Sequence, residues 1–122
     1  MKFEALLGEL KKVEITEMRF DLCDYIEFVV QAATLDKVKR ILESYFGRAV
    51  DFKDAASSEP LSIAEKWGGI RGNQILYFHS GEQEKNFAMI WPWCDGRKVS
   101  IKIVKHPSAY GMIRKAADPA DH

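Results

Sequence analysis

The sequence predicts an α+β domain: a mainly antiparallel sheet of about five strands, including a C-terminal three-stranded meander, with two or three helices packed on it. Three observations predict it. Residues 86–94 are an almost continuously apolar strand run and residues 97–104 alternate apolar and polar side chains, on either side of Asp95-Gly96, the dipeptide that most strongly signals a hairpin. Leu35, Val38, Ile41, Leu42 and Tyr45 recur at helical spacing. Two further runs, 18–22 and 25–31, carry strand composition next to one another.

Taken in order, Phe3, Leu6, Leu7 and Leu10 form one face of a helix over residues 2–12, with Glu4, Glu9 and Lys11 outside. Gly8 weakens it, because glycine loses the most backbone freedom on entering a helix. The period then changes to two. Met18, Phe20 and Leu22 alternate with Arg19 and Asp21, which predicts a half-buried strand. Residues 25–31 form a stronger strand, joined to the first by a hairpin about Cys23-Asp24. Neither residue is the glycine that favoured two-residue turns use.

Thr34 stands where an N-cap belongs, Asp36 lies in the first turn, and Gly47 follows the last apolar position as a C′ residue would. Residues 49–53 read as a short strand. Strand, helix and strand from 25 to 53 admit either a right-handed βαβ crossover or an antiparallel placement. Residues 54–60 read as a surface loop. Ser62-Ile63-Ala64-Glu65 matches a capping box and predicts a helix of about two turns reaching Trp67, stopped by Gly68-Gly69. Strands at 73–79, 86–94 and 97–105 complete the sheet. Residues 107–122 show no sustained pattern beyond a helical turn or two over 109–117, and are expected to be a weakly structured tail.

At 122 residues the chain is expected to be a single domain, 1–122, burying roughly two-thirds of its unfolded surface. Its apolar content of 47% argues against wholesale disorder. A net charge of +0 provides no global attraction to nucleic acid or an anionic membrane. The charge is unevenly spread: 9 basic and 12 acidic residues in 1–61, against 9 and 6 in 62–122. The 2 cysteines, Cys23 and Cys94, have no metal-ligand spacing, and one long-range disulfide is open to them. Acids interrupt the first apolar stretch, so it does not read as a signal peptide, and no run has the length of a membrane span. A cytoplasmic protein without cofactor or metal is the expectation.

A two-residue turn at Asp95-Gly96 is expected to fix the register of the hairpin, with Cys94 facing Arg97. Trp93 faces Lys98, Trp91 faces Ser100, Met89 faces Lys102, and Ala88 faces Ile103. One face then holds Ala88, Ile90, Val99, Ile101 and Ile103. The other holds Phe87, Met89, Trp91 and Trp93 opposite Val104, Lys102, Ser100 and Lys98, extended by Leu76 and Phe78. This second face is too apolar to lie bare in water, so a helix, a second copy or a ligand must cover it. If a helix does, the lysines lie along the aromatic rings with their ammonium heads outward. Pro92 cannot donate to a ladder and must lie at an edge, at a bulge or beyond a neighbour's end.

Candidate binding residues are therefore Trp91, Trp93 and Met89 for apolar contact, with Lys98, Lys102 and Arg71 for an acidic group. The function class that follows is a non-enzymatic module binding a small molecule or a protein, with a homodimer through the same face as one form of it. Two alternatives come from other classes. Cys94 beside Arg97 would act as a nucleophile if His79 or Asp95 assisted it. Bases of a single-stranded nucleic acid would stack on Trp91 and Trp93, although the neutral net charge weighs against that. The glycines of 68–72 match neither a phosphate-binding loop nor a dinucleotide fingerprint, and serve to end a helix and enter a strand.

Overall fold

The computed structural model of the chain describes residues 2–53, 58–68, 70, 73–81 and 84–106. Arg71, the glycines at 69 and 72, residues 54–57 and the segment 107–122 lie outside the described residues. The elements run α1 (Phe3–Leu10), β1 (Glu17–Asp21), β2 (Tyr25–Gln31), α2 (Leu35–Phe46), α3 (Ser58–Glu65), β3 (Ile75–Ser80), β4 (Lys85–Pro92) and β5 (Lys98–His106). The strands form one sheet in the order β1-β2-β5-β4-β3, every neighbour antiparallel. This is the α+β arrangement the periodicities predict, with β3, β4 and β5 as its meander.

Alternation divides the sheet into two faces, each with its own core. On the first, Ile26, Phe28, Val30, Tyr77, Ala88, Ile90, Val99, Ile101 and Ile103 meet Phe3, Leu6 and Leu10 of α1 and Val38 and Leu42 of α2. Both helices present the apolar stripe expected of them. Each fully buried aliphatic side chain contributes about 1.5–3 kcal/mol. Gly47 ends α2 at φ +79°.

The second face carries Tyr25, Leu76, Phe87, Met89, Trp91 and Val104, covered by Ile63 and Ala64 of α3 and by Trp67 just beyond it. Trp67 stacks on Tyr25 with ring centroids 5.1 Å apart and meets Phe87 edge-on at 5.9 Å. A helix therefore covers the apolar part of the aromatic strip.

Several expected details differ. The helix α3 begins at Ser58, so Ser62 is an internal residue and not a cap. Pro60 sits in its first turn, where a missing N–H costs nothing. Residues 49–53 form no strand; Val50 gives one hydrogen bond to Leu76 C=O at 2.8 Å. No βαβ crossover exists between 25 and 53, because β2 pairs with β1 and β5. Thr34 does not cap α2. A turn of 3-10 helix, Ala32–Thr34, leads into α2 and leaves Thr34 in the helical region without a side-chain cap bond.

The strand β1 departs from simple alternation. Met18 pairs with Phe28, but Phe20 pairs with Glu27, so the register shifts by one around Arg19. That bulge sends Phe20 to the second face against Tyr25 and leaves Met18 and Leu22 exposed. The expected inward set Met18, Phe20 and Leu22 does not form.

Candidate functional site

The β4–β5 register agrees with the expected one at every ladder pair, from Lys85–His106 to Pro92–Val99. The turn itself is wider than two residues. Trp93 N–H donates to Lys98 C=O at 2.9 Å, Gly96 N–H donates to Trp93 C=O at 3.0 Å, and Arg97 N–H donates to Asp95 Oδ1 at 2.9 Å. Only Gly96 takes a positive φ, +71°, whereas the tightest glycine turn would need Asp95 there too. Cys94 and Arg97 thus belong to the turn and not to the ladder.

Pro92 is accommodated as its chemistry requires. The Trp93–Lys98 hydrogen bond makes Pro92–Val99 a non-hydrogen-bonded pair, so the proline nitrogen points toward the other neighbour. That neighbour, β3, begins opposite Ile90 and never reaches Pro92.

The six binding candidates separate into three groups. Met89 is 0% exposed, Lys102 3% and Trp91 7%, so all three belong to the interior. Trp91 lies between Lys102 Nζ, 3.6 Å from its ring centroid, and the backbone of Gly68. A Cβ on Gly68 would stand 2.6 Å from Trp91 Cη2. Trp93 and Lys98 are half-buried at the turn end of the hairpin. Arg71 lies outside the described residues. Both indoles are on one side of the sheet, as the alternation requires, but one of them is a core residue.

Trp93 is held by a distinct set of contacts. Its Nε1–H donates to Ser100 Oγ at 2.8 Å, Lys98 Nζ stands 5.3 Å from its ring centroid, and Arg19 Cζ stands 5.7 Å from it. Arg19 reaches this place through the bulge in β1. Its Nε donates to Glu17 Oε2 at 2.6 Å and its Nη1 to Glu27 Oε2 at 3.3 Å. Glu27 is 0% exposed, accepts a further hydrogen bond from Tyr25 O–H, and faces Lys102 directly in the ladder. Ser100, also 0% exposed, lies two residues before Lys102 on the same face.

Arg19, Glu27, Tyr25 and Ser100 were not among the sequence candidates. One signal was available. Glu27 interrupts an otherwise apolar strand, Tyr25-Ile26-Glu27-Phe28-Val29-Val30, and a charge buried in such a run needs a partner. The bulge that supplies Arg19 has no comparable mark.

The nucleophile constellation is not assembled. Cys94 is exposed at the turn, whereas His79 pairs with Asn86 at the far end of β4, roughly 25 Å away along the strand. His79 packs on Tyr45 instead, with ring centroids 5.4 Å apart. Asp95 is engaged with the turn backbone. Cys23 lies in the β1–β2 turn, at the opposite end of the sheet from Cys94, so the two thiols form no disulfide and both are free. Among the described residues no group of three or more His, Cys, Asp or Glu side chains is placed to hold a metal ion. Among them, too, no helix is long and apolar enough to cross a membrane.

On the helix side, an open groove of about 530 Å³ runs between the end of α1 and α2, with Lys12, Glu14, Lys37 and Arg40 on its walls. Its charges are mixed, and Lys12 is already paired with Glu9 at 3.0 Å. No family model, no curated protein and no solved structure matches the chain.

Proposed function

We propose that this protein is a non-enzymatic binding module whose contact surface is the turn end of the β4–β5 hairpin. The contact residues are Trp93 and Lys98, with exposed Arg97 beside them. One observation supports the reading above the others. Of the three tryptophans, Trp67 at 8% and Trp91 at 7% exposure are in the core, and Trp93 alone reaches the surface, flanked by cations. A flat apolar ring beside positive charge suits a partner carrying an acidic group next to an apolar one. A second copy meeting the whole aromatic face would collide with α3, so self-association through the aromatic strip would have to use the hairpin end. Two stacked nucleobases would need both indoles at the surface, which the position of Trp91 does not offer.

The test uses the three indole N–H signals in NMR spectra. An acidic peptide, a single-stranded oligonucleotide and rising protein concentration serve as separate probes. The expected result is movement of the Trp93 signal with the peptide, while Trp67 and Trp91 stay in place, and loss of that movement in the R97E/K98E double variant, which keeps the indole that reports it. A stationary Trp93 signal with all three probes would reject the reading.

A further inference from the structure

We propose that two copies of this chain pair through the outer edge of β3, antiparallel about a two-fold axis at His79, into one continuous sheet. This surface is separate from the hairpin end and goes beyond the reading above.

The alternation of ladder hydrogen bonds fixes which backbone groups of β3 face outward. Trp93–Lys98 is a hydrogen-bonded pair, so the backbones of Ile90, Ala88 and Asn86 in β4 turn away from β5 and toward β3. Their partners there are Ile75, Tyr77 and His79. Leu76, Phe78 and Ser80 therefore direct N–H and C=O away from the sheet. The 2.8 Å hydrogen bond from Val50 N–H to Leu76 C=O lies on that outer side and agrees. Among the described residues the outward N–H and C=O of Phe78 and Ser80 have no partner. Unpaired groups in a row along a strand edge are a template for another strand.

The two edges of the sheet differ. The edge strand β1 is guarded, because a bulge breaks its ladder and Glu17, Arg19 and Asp21 stand along it. Two β1 strands paired about Arg19 would set Glu17 against Asp21 of the other copy, acid against acid. The edge strand β3 has a regular register, and its six residues, Ile75–Ser80, include no Asp, Glu, Lys or Arg. Charges and bulges are the usual devices against edge pairing, and only β1 carries them.

A second copy is the occupant because the open edge is its own complement. About a two-fold axis at His79, Phe78 faces Ser80 of the second copy, and Ser80 faces its Phe78. Each pair exchanges both hydrogen bonds, so every outward N–H and C=O of these two residues is satisfied in both copies. The ends fit as well. Beyond Ser80 the chain turns back into β4, with Gly81 N–H donating to Glu84 C=O at 2.8 Å, so the added strand ends before it would meet Val50. Val50 blocks registers that slide on to Leu76. The two His79 residues meet in a non-hydrogen-bonded pair, where facing side chains come closest. His79 and Ser80 are exposed and Phe78 is half-buried in the single chain, and pairing removes more of Phe78 from water.

Sedimentation equilibrium and NMR amide exchange on the whole chain test this. The parent should dimerise as its concentration rises, with the Phe78 and Ser80 amides protected in the dimer. His79→Glu and His79→Lys each set like charges face to face, and each should weaken the dimer at least about tenfold. Mixing the two variants sets opposite charges face to face and should restore it. Unchanged Trp67 and Trp91 signals show that each variant keeps the fold. R97E/K98E, at the hairpin end, should leave dimerisation as it is. A parent that stays monomeric up to about 1 mM overturns the proposal. So does a dimer in which the Phe78 and Ser80 amides exchange freely, one that His79→Glu leaves intact, or one that the mixture fails to restore. If R97E/K98E abolishes the dimer, the copies meet at the hairpin end and not at β3.

Discussion

At the scale of single residues, two glycines show how the same residue type serves opposite ends. Gly68 sits at φ +110°, and its missing side chain lets the backbone rest on Trp91. Alanine there would meet Trp91 Cη2 at 2.6 Å in a backbone region that L residues avoid. Gly8 lies within α1 with nothing within 4 Å of the place a Cβ would take. The two substitutions should therefore act in opposite directions. Gly68→Ala should lower stability by about 2 kcal/mol or more, from left-handed strain plus displacement of the indole. Gly8→Ala should raise it by roughly 0.5–1 kcal/mol, by removing backbone freedom from the unfolded chain. Urea midpoints of the two variants check both, and equal shifts of the same sign would contradict the packing described at Trp91.

At the scale of elements, legibility follows how local the cause is. The β4–β5 hairpin was readable because its register depends on a short turn and on alternation, both contained in about twenty neighbouring residues. The stripe of α2 was readable for the same reason. The start of α3 was not, because Ser62-Ile63-Ala64-Glu65 imitates a cap while Pro60 is compatible both with a loop and with a helix's first turn. The bulge at Arg19 was hidden too. Its cause is the pull of Phe20 toward Tyr25 on one face and of Arg19 toward Glu27, both across strands. The site suffered accordingly: the side to which Trp93 points was legible, but the arginine behind it was not. A cross-element contact also sets the alkaline behaviour. Tyr77 of β3 donates its hydroxyl to Glu43 Oε2 of α2 at 2.8 Å. Burial first, then the hydrogen bond and the charge of Glu43, hold its pKa above the ordinary 10.0. The folded protein keeps that proton longer than the unfolded chain does. The contribution to stability is therefore complete below pH 10.0 and is lost progressively as pH rises beyond it. Tyr77→Phe should cost about 1 kcal/mol at neutral pH and flatten the alkaline decline, as followed by urea midpoints across a pH series.

At the scale of the whole molecule, two cores on one sheet give the protein more apolar burial than the second face's charges could threaten. The pair Glu27 and Lys102 can thus be asked what it is for. Lys102→Met alone removes one of two facing charges and leaves Glu27 buried with fewer cations, which should cost about 3–5 kcal/mol. Glu27→Leu alone should be costly for the mirror reason, and it also frees the inner side of Arg19. Combining them removes both buried charges and restores an apolar surface beneath Trp91. The double variant should be more stable than either single one, with a favourable coupling of at least about 1 kcal/mol. If it also equals the parent in urea yet its Trp93 signal no longer answers the acidic peptide, stability and binding have separated, and the charges serve the hairpin-end surface. If the double variant remains as unstable as the singles, the ion pair is a requirement of the sheet itself, and the contrast between an apolar scaffold and a purposeful polar cluster loses its ground.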